Sequence, residues 1–136
     1  MSCSSNLRMS KLNLILIVDD EPDILIMTSK IVEQITESII TARNGEDALT
    51  ILSKCTPDLI ILDAVMPIMH GLDVCRTLRR NKKTRGIPIL IFSALGTGVD
   101  MMLDERDKAD AYISKPFTSQ ILLEKIKNIC KQNEIS

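Results

Sequence analysis

"LILIVDDEP", residues 14–22, sets five aliphatic residues directly against Asp19, Asp20 and Glu21. An aliphatic run without alternation is what a strand covered on both faces looks like, because neighbouring strand residues point to opposite sides and both sides must then be apolar. The acidic residues fall where that strand ends. Four more short runs follow: "SIITA" at 38–42, "LIIL" at 59–62, "IPILIF" at 87–92 and "AYIS" at 111–114. Between them lie segments of helical period. Ile24, Met27, Thr28, Ile31, Val32 and Ile35 recur at helical spacing behind Pro22 and Asp23, which suit a helix start. Segments 44–54, 72–80, 99–106 and 119–131 complete the set, the last with Ile121, Leu122, Ile126, Ile129 and Cys130 as its apolar stripe. Five strands alternating with five helices imply right-handed crossovers and a doubly wound α/β sheet.

Composition limits what such a sheet can carry. The 136 residues match one domain and leave no room for a core plus a separate output domain. A hydrophobic fraction of 45% and a charged fraction of 26% are those of a globular chain rather than a disordered one. The formal net charge is −1, and the densest basic stretch, "RTLRRNKKTR" at 76–85, has no interleaved aromatic residue for base stacking. It reads as a solvated helix end and loop, so no nucleic-acid partner is expected from this segment. Cys3, Cys55, Cys75 and Cys130 are far apart, with no CxxC pair and no His/Cys cluster for zinc. No apolar run reaches the ~20 residues of a membrane span. A reducing, cytoplasmic setting without a membrane partner is the expectation.

In open α/β sheets, ligands bind beyond the carboxyl ends of the strands, where the strand order reverses. The strand ends therefore matter. The first delivers Asp19, Asp20 and Glu21, the third Asp63, the fourth Ser93, and the fifth is followed by Lys115, Pro116 and Phe117. Two carboxylates about 4 Å apart at an effective dielectric near 20 repel by roughly 4 kcal/mol, so several on one rim need positive charge. Lys115 supplies one unit. A divalent cation with oxygen ligands is the natural remainder, and Mg²⁺ suits few carboxylates, retained waters and a phosphate guest. Carboxylates, metal, hydroxyl and lysine are also the parts that move a phosphoryl group, with one carboxylate as nucleophile. Asp63, on the central strand, is the candidate.

"LIVDDEP", "LIILDAVMPIMHG", "IFSA" and "YISKPF", in this order and spacing, resemble the receiver domain of two-component response regulators over about residues 13–131. The resemblance implies a flavodoxin-like sheet of strand order 2-1-3-4-5 with helices on both faces, flanked by tails at 1–12 and 132–136. It implies that Asp63 accepts phosphate, that Asp20 binds Mg²⁺ directly with Asp19 assisting, and that the Val65 backbone carbonyl completes the protein ligands. Ser93 and Lys115 would contact the phosphoryl oxygens, Tyr112 would be the aromatic switch, and the bond before Pro116 is often cis in this family. The donor would be a phosphohistidine on a sensor kinase or phosphotransfer protein. The output would be binding of a downstream protein through the surface of the fourth helix, fifth strand and fifth helix, by a monomer or weak dimer.

The chain departs from the family's usual pattern at Ala64, His70 and Lys108, the last standing where a glycine often eases the turn before the final strand. Val65 and Leu95 also flank the site with apolar side chains, neither able to position a hydrolytic water. A phosphorylated state that decays slowly, and faster in Val65→Asn, is the expectation. Other readings stay open. Asp19, Asp20 and Glu21 alone could cap a helix, with Glu21 remaining only a cap. His70, the only histidine, reads as a loop residue, and Gly96 and Gly98 lack the third glycine of a dinucleotide fingerprint. A phosphotransferase or phosphatase enzyme with Asp19 as nucleophile, or a phosphorylation-independent interaction module, are the alternatives to a signalling receiver.

Overall fold

The computed structural model describes residues 11–64, 71–93 and 105–135, with 132–135 described by their backbone alone. The elements run β1 (Leu12–Val18), α1 (Pro22–Val32), β2 (Thr36–Ala42), α2 (Gly45–Leu52), β3 (Leu59–Asp63), α3 (Gly71–Arg79), β4 (Ile89–Ser93), a 3-10 turn (Glu105–Asp107), β5 (Ala111–Ser114) and α4 (Ser119–Ile135). All pairings are parallel and the order is β2-β1-β3-β4-β5. The chain leaves β1 outward to β2, then crosses back to β3. The order therefore reverses between β1 and β3, the switch point of a flavodoxin-like sheet.

Strand alternation divides the core into two layers. Leu16, Val18, Ile60, Leu62, Ile89 and Ile91 face one side and pack with Ala48 of α2 and with Val74, Cys75 and Leu78 of α3. Their neighbours Ile15, Ile17, Leu59, Ile61, Leu90 and Phe92 face the other, against Leu25 and Val32 of α1 and Leu122, Ile126 and Ile129 of α4. Each such side chain contributes ~1.5–3 kcal/mol on burial. Both layers need every position of the central strands, which is why those strands are unbroken aliphatic runs. β2 lies at an edge and carries Glu37 and Ser38 exposed.

Two helical stripes differ from the sequence reading. In α1 the buried residues are Leu25, Thr28 and Val32, while Met27 is 39% exposed. Residues 24–27 ("ILIM") are all apolar, so periodicity leaves the phase of the helix undetermined, and packing on β1 selects Leu25. In α4, Leu122, Ile126 and Ile129 are buried but Ile121 is 43% exposed, one step around the helix. Four helices stand among the described residues. The segment read as a helix at 99–106 falls mostly outside them, and its last two residues open the 3-10 turn. β1 begins at Leu12, and α4 runs to Ile135, beyond the boundary read at 131.

The basic stretch at 76–85 also differs. Arg79 is not a solvated helix end: its side chain is 10% exposed and donates to the carbonyls of Lys108 (2.9 Å), Arg85 (2.9 Å) and Ile87 (2.8 Å) and to Asp110 Oδ2 (2.7 Å). Arg80 donates to both carboxylate oxygens of Asp107, a residue with no accessible surface. That pairing, chiefly the Arg80 hydrogen bond, holds the Asp107 carboxyl below the usual carboxylate range. These bonds tie α3 to the segment entering β5. Behind them burial pushes the Cys75 thiol up to about 11, and its Sγ lies 3.2 Å from the Asp107 carbonyl oxygen, to which it donates.

Candidate functional site

The strand ladder continues one residue past the strand ends and fixes the rim. Asp19 N–H donates to the Ala42 carbonyl (3.1 Å), Ala64 N–H to Phe92 (2.8 Å) and Lys115 N–H to Ser93 (3.0 Å). Asp19, Asp63 and Lys115 continue the alternation of Ile17, Ile61 and Ile113, so they share one side of the sheet. Ser93 continues that of Ile91 and lies on the other side, as does Tyr112, which packs against the layer under α3.

The acidic groups converge at the switch point. One carboxylate oxygen from each of Asp19, Asp20 and Asp63 lies within 4.8 Å of the others. Asp19 and Asp63 are buried and Asp20 half-buried. Lys115 Nζ sits among them, 3.2 Å from Asp19 Oδ2, 3.4 Å from Asp63 Oδ2 and 3.4 Å from Glu21 Oε1. Burial alone would lower the Lys115 pKa, but the Asp19 and Asp63 carboxylates outweigh it and the net displacement is upward. Burial raises the Asp19 carboxyl above its usual range, despite the Glu21 N–H bond and Lys115 that oppose it. The rim thus holds more negative charge than its single lysine balances.

The three aspartates are not equivalent. Asp19 Oδ1 accepts the Glu21 N–H at 2.9 Å and Oδ2 accepts from Lys115, so both oxygens are engaged within the fold. Asp20 has no hydrogen-bond or ion-pair partner among the described residues. Oxygen donors in this number suit a hard divalent cation, and Mg²⁺ fits the set.

Two contacts at the site were not legible in the sequence. Gly71 opens α3 with its N–H on the Ala64 carbonyl (3.0 Å), and a Cβ there would collide with the Asp63 carbonyl oxygen and come within 2.7 Å of its carbonyl carbon. Only glycine lets α3 press this closely on the end of β3. Glu21 stands at the N-cap position of α1 but its side chain makes no cap hydrogen bond. It turns to Lys115 instead. A basic residue 94 positions away is not a signal that local sequence carries.

With this geometry in hand, the chain matches the family model described as the response regulator receiver domain over residues 15–127. It belongs to that family. Receiver domains are signalling proteins rather than conventional enzymes, and membership is consistent with phosphorelay signalling. Among curated relatives, the DNA-binding response regulator MtrA of Mycolicibacterium smegmatis is 34% identical over 88% of this chain and 51% of its own length. The alkaline phosphatase synthesis transcriptional regulatory protein PhoP of Bacillus subtilis is 36% identical over 90% of this chain and 50% of its own. The receiver chain spans about half the length of these relatives. Among solved structures, a response regulator of Chloroflexus aurantiacus superposes with TM-score 0.79 at 30% identity, covering 88% of this chain and 98% of that one. The chemotaxis response regulator CheY4 of Vibrio cholerae does so with TM-score 0.75 at 26% identity, covering 88% and 99%.

The structure of this receiver brings together Asp19, Asp20, Asp63 and Lys115, and leaves Ser93 at the adjoining strand end, 1% exposed. The Lys115–Pro116 bond is cis. Phe117, next along, stacks on Phe92 with ring centroids 4.5 Å apart, which seats the segment after Lys115 on the core. Tyr112 is half-buried and its hydroxyl accepts the Ala109 N–H at 3.0 Å. Val65, His70, Leu95, Gly96 and Gly98 lie outside the described residues, as does the surface read as the fourth helix. Among the described residues, no helix is long and apolar enough to cross a membrane.

Proposed function

We propose that this receiver, spanning residues 13–131, accepts a phosphoryl group on Asp63 from a phosphohistidine of a sensor kinase or histidine phosphotransfer protein. The observation that carries the reading is the convergence of Asp19, Asp20 and Asp63 around Lys115 at the switch point. An Asp63 oxygen attacks phosphorus, a P–O bond forms as the donor's P–N bond breaks, and the partner's imidazole leaves. Asp20 and Asp63, with the Val65 carbonyl, would hold Mg²⁺ directly and Asp19 would assist, the bound cation offsetting charge on the transferred group. Asp20 is suited to that role because no other described residue claims it. Lys115 turns from the carboxylates to a phosphoryl oxygen, and the Ser93 hydroxyl donates to another.

Phosphorylation replaces a monoanion at Asp63 with a dianion. Ser93 is drawn toward it, and Tyr112, on the same side of the sheet, exchanges its bond at Ala109 for a position nearer Ser93. This shifts a two-state surface around β5 and its flanking helices, through which a downstream protein is bound. Water returns Asp63 to its free form. The slow decay expected from Val65 and Leu95 belongs to this step.

The test is incubation with Mg²⁺ and a small labelled phosphodonor. Label is expected on the native chain and on Asp19→Asn, and absent from Asp63→Asn. Loss of label only in Asp19→Asn would make Asp19 the nucleophile and the chain a phosphotransferase, while an unlabelled native chain would make it a phosphorylation-independent module. The engagement of both Asp19 oxygens speaks against the first.

A further inference from the structure

At the far end of α3 from the carboxylate rim, a cavity of about 500 Å³ is lined by Arg79, Arg80, Arg85 and Arg106. The four come from three segments: the end of α3, the loop before β4 and the 3-10 turn before β5. Their charges are not treated alike. Asp110 is matched to Arg79 and Asp107 to Arg80, with the more distant Arg76 also sharing Asp107 at 3.9 Å. Both acids of the network are thereby committed to the inner pair. The side chains of Arg85 and Arg106 have no hydrogen bond or ion pair among the described residues, and both are exposed. The nearby Glu105 pairs with Lys108 instead.

Like charges gathered around one hollow repel, and an anion there removes the repulsion. The guanidinium fork matches the paired oxygens of a phosphate, and Arg85 and Arg106 have theirs unengaged among the described residues, while Arg79, with four of its five N–H donors committed, is a fixed wall of positive charge. The volume is that of a small-molecule site rather than a groove for a helix or strand. Among the described residues the lining is arginine alone. We propose that this arginine-lined cavity binds a small polyphosphate anion, a di- or triphosphate either free or as the tail of a nucleotide. The site is separate from the phosphorylation site and uses none of its residues.

The experiment titrates the full chain with inorganic pyrophosphate and, separately, with ADP, in EDTA so that no divalent cation joins the carboxylate rim. Calorimetry gives affinity, and arginine Nε–H resonances report which guanidinium groups respond. Expected are saturable binding, shifts at Arg79, Arg80, Arg85 and Arg106, and affinity weakened at least about tenfold in Arg85→Gln/Arg106→Gln. Those two side chains are exposed and make no hydrogen bond or ion pair among the described residues, so the variant should remain folded. Asp63→Asn should bind like the native chain. Equal affinity for the two probes assigns recognition to the phosphates alone, and tighter ADP binding adds a nucleoside contact; either supports the site. The proposal is overturned by failure to saturate below about 10 mM, or by an equal loss in the charge-matched control Lys82→Gln/Lys83→Gln, which would mark diffuse attraction.

Discussion

The two charged clusters of this receiver use the same chemistry to opposite ends. At the carboxyl ends of β1 and β3, Asp19, Glu21 and Asp63 share one lysine, and Asp20 is left without a partner among the described residues. At the C-terminal end of α3, Asp107 and Asp110 are each saturated by an arginine, and the bonds run on to the carbonyls of Lys108, Arg85 and Ile87. A charged cluster in which every buried group is matched braces the fold. One with an unmatched group awaits a ligand, and by that criterion the outer arginines resemble the rim more than the brace they surround.

The difference can be broken from either side. Arg79→Ala should have the largest effect, about 2–4 kcal/mol of stability lost, because it removes four hydrogen bonds and leaves the Lys108, Arg85 and Ile87 carbonyls without their side-chain donor, Asp110 keeping only the Ile89 N–H. Urea unfolding measures it, and a loss below about 1 kcal/mol would remove the distinction between brace and site. The rim should respond to a cation instead. Mg²⁺ at a hundred times its dissociation constant should add about 2.7 kcal/mol to the native chain, with most of the gain lost in Asp20→Asn.

Gly71→Ala should cost about 1–3 kcal/mol through overpacking against the Asp63 backbone. It should also slow phosphorylation, whereas a surface alanine on α3 such as Thr77→Ala should not. The smallest effect has a sign set by burial. The folded Asp19 carboxyl titrates above its unfolded value, so its charge weakens the metal-free fold as pH rises through the folded pKa. Asp19→Asn, in EDTA, should raise the urea midpoint at pH 7 and lose that advantage as pH falls below about 4. A gain that grew toward acid pH would contradict the burial argument.

Much of this was legible because it is local or periodic. Ile15–Val18 and Leu59–Leu62 announce central strands because burial on both faces leaves no polar alternative, and the residues that follow then fall on the rim by topology. Lys115 could be placed with Asp19 without any contact being known, since both follow parallel strands. What was not legible depends on an approach between distant segments. The phase of α1 within 24–27 is decided by β1, and the glycine requirement at 71 by the backbone of Asp63. The turn of Glu21 to Lys115 depends on a partner 94 residues away, and the burial of Arg79 on Lys108 and Asp110, 29 and 31 residues away, where pattern alone left the first open as a cap and made the second a solvated end.

The Lys115–Asp19 pair spans 96 positions of the chain. A growing polypeptide released from its N-terminus exposes Asp19 and Asp20 first and Asp63 well before the lysine that balances them. Until β5 has docked, the carboxylates face one another without their cation, and no partial fold presents the whole rim. On the phosphorylation reading proposed above, competence to receive a signal arrives with β5, and a copy in which that strand has not docked would be silent.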